Sequence, residues 1–177
     1  MRSIIQSVAG RYGVPVTIGR GYCSITPRLE MARRFRPSGK GQLIVLILSD
    51  FDPDGEAIAE SFARSMRDDF GIEALVPIKV ALTANQVTTL KLPPSMQAKK
   101  TSLQYAKFTQ LHGTNVFELE AVPPAELQRL LTEAIQSVID VEIFNHEVDA
   151  EREDASVLEV ARQRACLALG GMKEETS

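Results

Sequence analysis

The segment that most constrains this chain is a run of aliphatic residues, Leu43–Leu48, followed by three alternating acids and a glycine. A short, continuous run of Leu, Ile and Val predicts a strand buried on both faces of a parallel sheet. The acids are Asp50, Asp52 and Asp54, and Gly55 follows them. Ligands of open α/β sheets bind just outside the carboxyl ends of such strands, so the sequence predicts a functional site here. Carboxylates this close repel one another, and a divalent cation is the usual way to hold them together.

Three known motifs contain acids at this spacing. The first half of a calcium-binding EF-hand loop matches, but Ser61 stands where that loop needs a glutamate, and the preceding residues favour a strand rather than a helix. Haloacid-dehalogenase phosphatases usually have Thr or Val where Asp54 stands, and they need a later Gly-Asp motif that is missing here. The third motif is the Asp-x-Asp of Toprim domains, which carries Mg²⁺ at a strand end beside nucleic acid.

The acids also have a purely structural explanation. Acidic residues are favoured in the first turn of a helix, because the helix N-terminus carries partial positive charge. Asp54 suits such a turn at least as well as it suits a metal site. Asp50 and Asp52 come before the turn, and we interpret them as the functional pair.

Composition limits the protein class without identifying a partner. The chain has 177 residues, of which 44% are hydrophobic and 24% charged, as expected for a globular protein. Its net charge of -3 gives no global nucleic-acid signal, so any such surface must be a local patch. Cys23 and Cys166 match no metal spacing and indicate free thiols of a reducing compartment, so we expect a cytoplasmic protein. No segment predicts a signal peptide or a membrane span.

The whole chain predicts alternating helices and strands. Helices are expected over residues 3–12, 27–35, 55–70 and 150–169, with a short one capped by Thr83 and Gln86 and a strong one opened by Pro123 and Pro124. Strands are expected over 14–18, Leu43–Leu48, 72–82 and 116–120. This alternation favours an α/β domain with a Rossmann-like, mostly parallel sheet flanked by helices. We expect one domain over residues 1–169 and a disordered tail over 170–177.

Further segments carry a family resemblance. Residues 16–22 end in Gly-Arg-Gly-Tyr and precede a basic helix and then the Asp-x-Asp-Pro-x-Gly strand end. This order resembles the Toprim domain of the type IIB topoisomerase A subunit (topoisomerase VI A) and its meiotic relatives. A closer similarity is to Toprim-like proteins of phages and mobile elements, and the resemblance covers roughly residues 14–140. The segments shared with that group are Val80-Ala81-Leu82-Thr83, Leu92-Pro93-Pro94, Lys99-Lys100-Thr101 and Glu118-Leu119-Glu120-Ala121-Val122-Pro123-Pro124.

The resemblance implies a site and a chemistry. Mg²⁺, or Mn²⁺ in its place, would be held by Asp50 and Asp52, with Glu120 as a third ligand. The implied partner is DNA, and the implied reaction is phosphodiester cleavage or rejoining of the topoisomerase or nuclease type. No catalytic residue is assigned. The residues expected to contact the DNA backbone are Arg20, Arg28, Lys99 and Lys100.

One departure from the family pattern limits this interpretation. Toprim domains begin with a strand that ends in a glutamate, but no glutamate precedes Glu30 in this chain. The domain that carries the nucleophilic tyrosine of topoisomerases is missing as well. We therefore expect part of a larger or split enzyme, in which a second copy or a partner chain supplies the missing strand and nucleophile domain. The alternatives are a non-catalytic module that binds nucleic acid or a partner, and a haloacid-dehalogenase-like phosphatase.

Overall fold

A computed structural model describes residues 1–19 and 24–174, with side chains as far as Leu167. The helices are α1 (Arg2–Arg11), α2 (Ile25–Phe35), α3 (Pro53–Asp68), α4 (Ala84–Thr89), α5 (Tyr105–His112), α6 (Pro124–Gln136) and α7 (Val141–Glu174). The strands are β1 (Leu43–Leu48), β2 (Leu75–Ala81), β3 (Met96–Gln97) and β4 (Asn115–Val116). Short 3₁₀ turns follow α2 at Arg36–Ser38 and precede α6 at Leu119–Ala121.

The chain divides into two compact units. Met1–Val138 forms the first and contains β1 to β4 together with α1 to α6. Ile139–Ser177 forms the second, and its described structure is α7. The candidate site lies wholly within the first unit.

The sheet confirms the mixed α/β class and the parallel pairing of β1. Strands β1 and β2 are parallel, and their register places Leu43 opposite Leu75 and Val45 opposite Pro77. Pro77 is tolerated because β2 is an edge strand in the described sheet, where a missing backbone donor costs no ladder bond. Strand β1 was predicted to be buried on both faces, but it is less buried than predicted, because all six of its residues are only half-buried. Within the described residues the strand has β2 as its sole neighbour.

The amphipathic helices follow their predicted patterns. In α3, Phe62 and Met66 are buried one turn apart, and Phe70 continues the stripe just beyond the helix. In α6, which starts at Pro124, the buried face consists of Leu127, Leu131 and Ile135. The capping box predicted at the start of α4 is present, since Thr83 and Gln86 each bond the other's backbone amide.

Three sequence predictions of local structure are wrong. Residues 14–18 form no strand in the described chain, because Gly13 turns out of α1 with φ of 63° and the Val14 amide bonds back to Ala9 at 2.9 Å. The strand expected over 116–120 ends at Val116, since the 3₁₀ turn begins at Leu119. The last helix begins well before residue 150, because an Asp140 carboxylate oxygen accepts the amides that open α7.

Two hydrophobic clusters hold the first unit together. One lies between the sheet and helices α2 and α3, and contains Ala32, Phe62, Met66, Phe70 and Ile72, with Leu43, Val45 and Leu75 packed against it. The other lies at the carboxyl end of the sheet and contains Phe51, Ala81, Leu82, Leu92, Ala98, Phe108, Val116, Val122 and Leu127. The second cluster therefore supports the loop that carries the acids.

Candidate metal and phosphate site

Backbone pairing continues past the end of β1 and fixes where the acids begin. The Ser49 amide donates to Ala81 O at 2.7 Å, and the Leu82 amide donates to Ser49 O at 2.7 Å. Asp50 is the next residue, so it lies directly outside the carboxyl end of the parallel pair. This is the position that the sequence predicted.

Phe51 anchors the acidic loop from its centre. Its backbone exchanges two hydrogen bonds with Phe117, at 2.8 and 3.0 Å. Its ring is buried, with its centroid 5.3 Å from that of Phe108 and 5.0 Å from that of His112. Because neighbouring side chains in extended backbone point to opposite sides, burial of this ring directs Asp50 and Asp52 away from the core.

Asp52 has a structural role as well as a candidate functional one. It is the N-cap of α3, and its Oδ1 accepts the Gly55 amide at 2.6 Å. Pro53 follows at the first helical position, where its missing N–H costs nothing. Asp54 and Glu56 occupy the first turn, where the helix dipole favours negative charge.

Gly55 is required by a close backbone approach. A Cβ atom at this position would lie 2.1 Å from the carbonyl oxygen of Asp50, far inside van der Waals contact. The Gly55 carbonyl accepts from the Ser49 hydroxyl at 3.3 Å and from Lys79 Nζ at 3.1 Å, and Lys79 also pairs with Glu56. The glycine of the motif therefore allows the helix start to pack onto the strand end.

Two further contacts bring distant loops to the acids. Asp50 Oδ1 accepts the Leu119 amide at 2.8 Å, and Asp54 Oδ1 accepts the Ser102 hydroxyl at 2.8 Å. The first contact holds the turn before α6, and the second holds the loop that contains Lys99. Each acid of the motif thus has a hydrogen-bond partner within the fold.

These elements surround an open cleft of about 210 Å³. Its charged lining consists of four acids and one lysine, so a cation is attracted to it and a bare phosphate is repelled. A phosphate could enter once a divalent ion offset part of this charge. The lining residues are Asp50, Asp52, Pro53, Asp54, Ser95, Met96, Gln97, Lys99, Ser102, Val116, Phe117 and Glu118.

The structure gathers some of the predicted site residues and separates others. Asp50, Asp52 and Lys99 line the same cleft, and Lys100 is exposed beside it in sequence. Glu120 is exposed in the 3₁₀ turn and is not part of the cleft lining. The strand expected over residues 116–120 would place Glu118 and Glu120 on one face, but no strand extends to either residue.

The predicted arginines contribute less to the cleft. Arg28 lies over the Phe62 ring, with its Cζ 5.6 Å from the centroid, and so helps join α2 to α3. This cation–π contact has a structural role, and the same guanidinium would also have to bind phosphate. Arg20 lies outside the described residues.

Sequence reasoning missed Glu118 and Ser102 as parts of the site. In the sequence Glu118 stands out only as the first residue of a segment shared with the Toprim-like group, whereas in the structure it is the glutamate that lines the cleft. Ser102 lies far from Asp54 in sequence, and its bond depends on how the loop after β3 folds back. Its position next to the Lys99-Lys100-Thr101 segment was the one available signal.

Two carboxylate oxygens at the cleft remain available to a cation. Asp50 and Asp52 each use Oδ1 for a backbone amide, and no donor among the described residues bonds either Oδ2. In the part of the chain that is described, no group of three or more His, Cys, Asp or Glu side chains could hold a metal ion. Mg²⁺ commonly binds through one or two carboxylates and completes its shell with water and substrate phosphate. The residues therefore suit a weak, two-carboxylate site rather than an all-protein cage.

Comparison with known proteins adds no family. No protein-family model matches the chain, and no curated protein or solved structure is similar enough to count as a match. Among the described residues, no helix combines the length and apolar character needed to cross a membrane.

Proposed function

We propose that this chain is a Toprim-like domain of a cytoplasmic DNA-processing enzyme, which binds Mg²⁺ and a DNA phosphate in the cleft at the end of β1. The observation that carries the proposal is the convergence of Asp50, Asp52 and Lys99 on one cleft outside the carboxyl end of a parallel strand. Ligand sites of α/β sheets form at such strand ends. The family resemblance supplies the reaction class, which is topoisomerase- or nuclease-type phosphodiester chemistry.

Each residue has a defined part in this proposal. The Oδ2 atoms of Asp50 and Asp52 would hold Mg²⁺ or Mn²⁺, and Glu118 lies in the same cleft to bind a water of the ion. Lys99, with Lys100 next to it, would contact the DNA backbone. When bound, the ion would offset charge on the phosphate and on the leaving oxygen. Because these contacts are to phosphate, binding would not depend on base sequence.

A non-catalytic module is the second candidate. It is favoured because Asp50 and Asp52 each accept a backbone amide, so both acids already have a structural purpose. The half-buried residues of Leu43–Leu48 also offer a strand edge that a second copy or a partner chain could extend. In this case the protein binds nucleic acid or its partner without cleaving a phosphodiester.

Fluorescence anisotropy with a labelled DNA duplex tests the proposal. We expect binding that requires Mg²⁺, is insensitive to sequence and weakens steeply with salt, because each neutralised phosphate releases counterions. Lys99→Ala with Lys100→Ala should weaken binding and reduce the salt slope by up to about 2, one for each lost contact. The matched control, Lys40→Ala with Arg64→Ala, removes the same charge from exposed positions outside the cleft and should change little.

The acidic pair is tested in the same assay. Asp50→Asn with Asp52→Asn keeps both hydrogen-bond acceptors, so the loop should stay folded. The Mg²⁺-dependent binding of DNA should be lost. Asp68→Asn with Asp69→Asn makes the same chemical change at the other end of α3 and should leave binding intact. Binding that is equal in both double variants would contradict the site. Cleavage of the duplex would favour the enzyme, binding alone would favour the module, and turnover of a small phosphomonoester would move the assignment to a phosphatase.

A further inference from the structure

The middle of helix α7 carries exposed apolar side chains that its other side chains do not cover. The helix has 34 residues, which corresponds to about 50 Å. Every residue from 149 to 167 is exposed, including Val157 at 66% and Leu158 at 69%. The ion pairs of this stretch, Arg152 with Asp149 and Arg162 with Glu159, join residues of the same helix and leave the apolar pair uncovered.

Val157 and Leu158 lie on one side of α7 with three alanines and Asp154, whereas the exposed Val160 and Leu167 lie on another side. At about 100° per residue, positions three, four and seven apart fall on the same side of a helix. Around Val157 and Leu158 this side carries small residues that allow a second helix to approach closely. The stripe consists of Ala150, Asp154, Val157, Leu158, Ala161 and Ala165.

The stripe is symmetric about its centre. Ala150 and Ala165 lie equally far from the midpoint between Val157 and Leu158. In an antiparallel pair centred on this midpoint, each Ala150 faces Ala165 of the second copy, and the large apolar residues of both helices meet in the middle. Such an isologous contact uses the same patch on both copies, as two-fold dimers do.

The charges that flank the stripe select the antiparallel direction. Glu151 and Arg162 lie on one flank, and Glu153 and Arg164 lie on the other. Antiparallel pairing brings identical flanks together, so each glutamate meets an arginine of the second copy. Parallel pairing brings opposite flanks together, so glutamate would meet glutamate and arginine would meet arginine.

The charge along residues 142–167 points the same way. Residues 142–154 contain six acids and one arginine, whereas residues 155–167 contain one acid and two arginines. Antiparallel pairing sets the acidic half of each helix against the half that carries the arginines. We propose that α7 is a dimerisation helix that pairs antiparallel with α7 of a second copy of this chain, centred on Val157 and Leu158.

Charge reversal tests the pairing. Light scattering and sedimentation at high micromolar concentration should show a dimer. Glu151→Lys with Glu153→Lys should weaken it at least about tenfold, and so should Arg162→Glu with Arg164→Glu, because each places like charges side by side. The combination of all four changes should restore the dimer, which separates the effect from a folding defect. A monomeric parent protein, or a dimer that both reversals leave intact, would overturn the proposal, and the latter would move the contact to the β1 edge.

Disulfide trapping tests the direction. In a Cys23→Ser, Cys166→Ser background, Ala150→Cys and Ala165→Cys should each resist oxidation to a dimer when alone. A mixture of the two variants should give a disulfide-linked heterodimer, because position 150 faces position 165 of the other copy. A parallel pair would instead give rapid disulfide formation by Ala150→Cys alone and no heterodimer in the mixture. That result would overturn the proposed arrangement.

Discussion

The acidic loop after β1 and the acidic half of α7 both carry carboxylates. The carboxylates of the loop contact residues distant in sequence, whereas that of Asp149 in α7 contacts a residue of its own helix. In the loop, Asp50 and Asp54 accept hydrogen bonds from residues 69 and 48 positions away in sequence. In α7, Asp149 pairs with Arg152, three positions along the same helix. Contacts with distant residues therefore fix acids in a site, whereas local contacts leave them available to a partner.

Truncation of a leucine should show the largest difference in stability effect between the two regions. Leu127 of α6 is fully buried, whereas Leu158 of α7 is 69% exposed. Leu127→Ala should lower the free energy of unfolding by about 2–5 kcal/mol, because the change leaves a cavity. Leu158→Ala should change it by less than about 0.5 kcal/mol at concentrations where the protein is monomeric. Urea denaturation of dilute samples measures both, and a large loss for Leu158→Ala would break the comparison.

The glycine in the acidic loop should be nearly as sensitive. Gly55→Ala puts a methyl group against the Asp50 carbonyl and should cost about 1–3 kcal/mol as the helix start is pushed from the strand. Gly10→Ala is the matched control, since the position is helical and, apart from its chain neighbours and its own helix backbone, no atom lies within 4 Å of a Cβ there. That change should stabilise the protein by about 0.5–1 kcal/mol. Thermal unfolding checks the sign of both effects.

The N-cap at Asp52 should give an intermediate effect. Asp52→Ala removes the acceptor of the Gly55 amide and should cost about 1 kcal/mol. Asp52→Asn keeps that acceptor and also relieves repulsion from Asp50, so its cost should be smaller. In α7, Asp154→Ala should leave the stability of the monomer unchanged, because the residue is exposed within the helix. Equal losses from the two Asp52 variants would show that charge, rather than capping, holds the loop.

The smallest effect is expected for a surface ion pair and depends on pH. Hydrogen bonding to Arg129 lowers the pKa of Glu126 below its ordinary value of 4.5. A lowered folded-state pKa contributes stability that is present above 4.5 and is lost as pH falls through the folded value. Arg129→Met should therefore destabilise slightly at neutral pH, and the difference should shrink in acid. Arg129 is exposed and Glu126 is half-buried at the surface, so solvent screening keeps the effect small. Denaturation over a pH series measures it, and a difference that grows in acid would contradict the assignment.

Sequence reasoning succeeded where a signal is local and periodic. The apolar run predicted β1, the spacing of Phe62 and Met66 predicted α3, and Thr83 with Gln86 predicted the start of α4. Each of these elements is encoded within a few turns or a few strand residues. The parallel pairing of β1 was also predicted, because helices and strands alternate around it.

Sequence reasoning failed where distant residues decide the structure. Residues 116–120 alternate like a strand, yet the Leu119 amide donates to the Asp50 carboxylate and the chain turns there. The same contact directs the chain so that Glu118 rather than Glu120 lines the cleft. The bond between Ser102 and Asp54 likewise depends on a loop closure that no local pattern encodes.

Binding of Mn²⁺, observed by NMR, tests directly whether Asp50 and Asp52 hold a metal ion. The amides of Gly55 and Leu119 donate to the carboxylates of Asp52 and Asp50, so they lie beside the proposed ion. Substoichiometric Mn²⁺ should broaden these two signals first, and the Asn double variant of Asp50 and Asp52 should abolish the effect. Asp68→Asn with Asp69→Asn should preserve it. Broadening confined to the acidic half of α7, or unchanged in the Asn double variant of Asp50 and Asp52, would contradict a metal site at the end of β1.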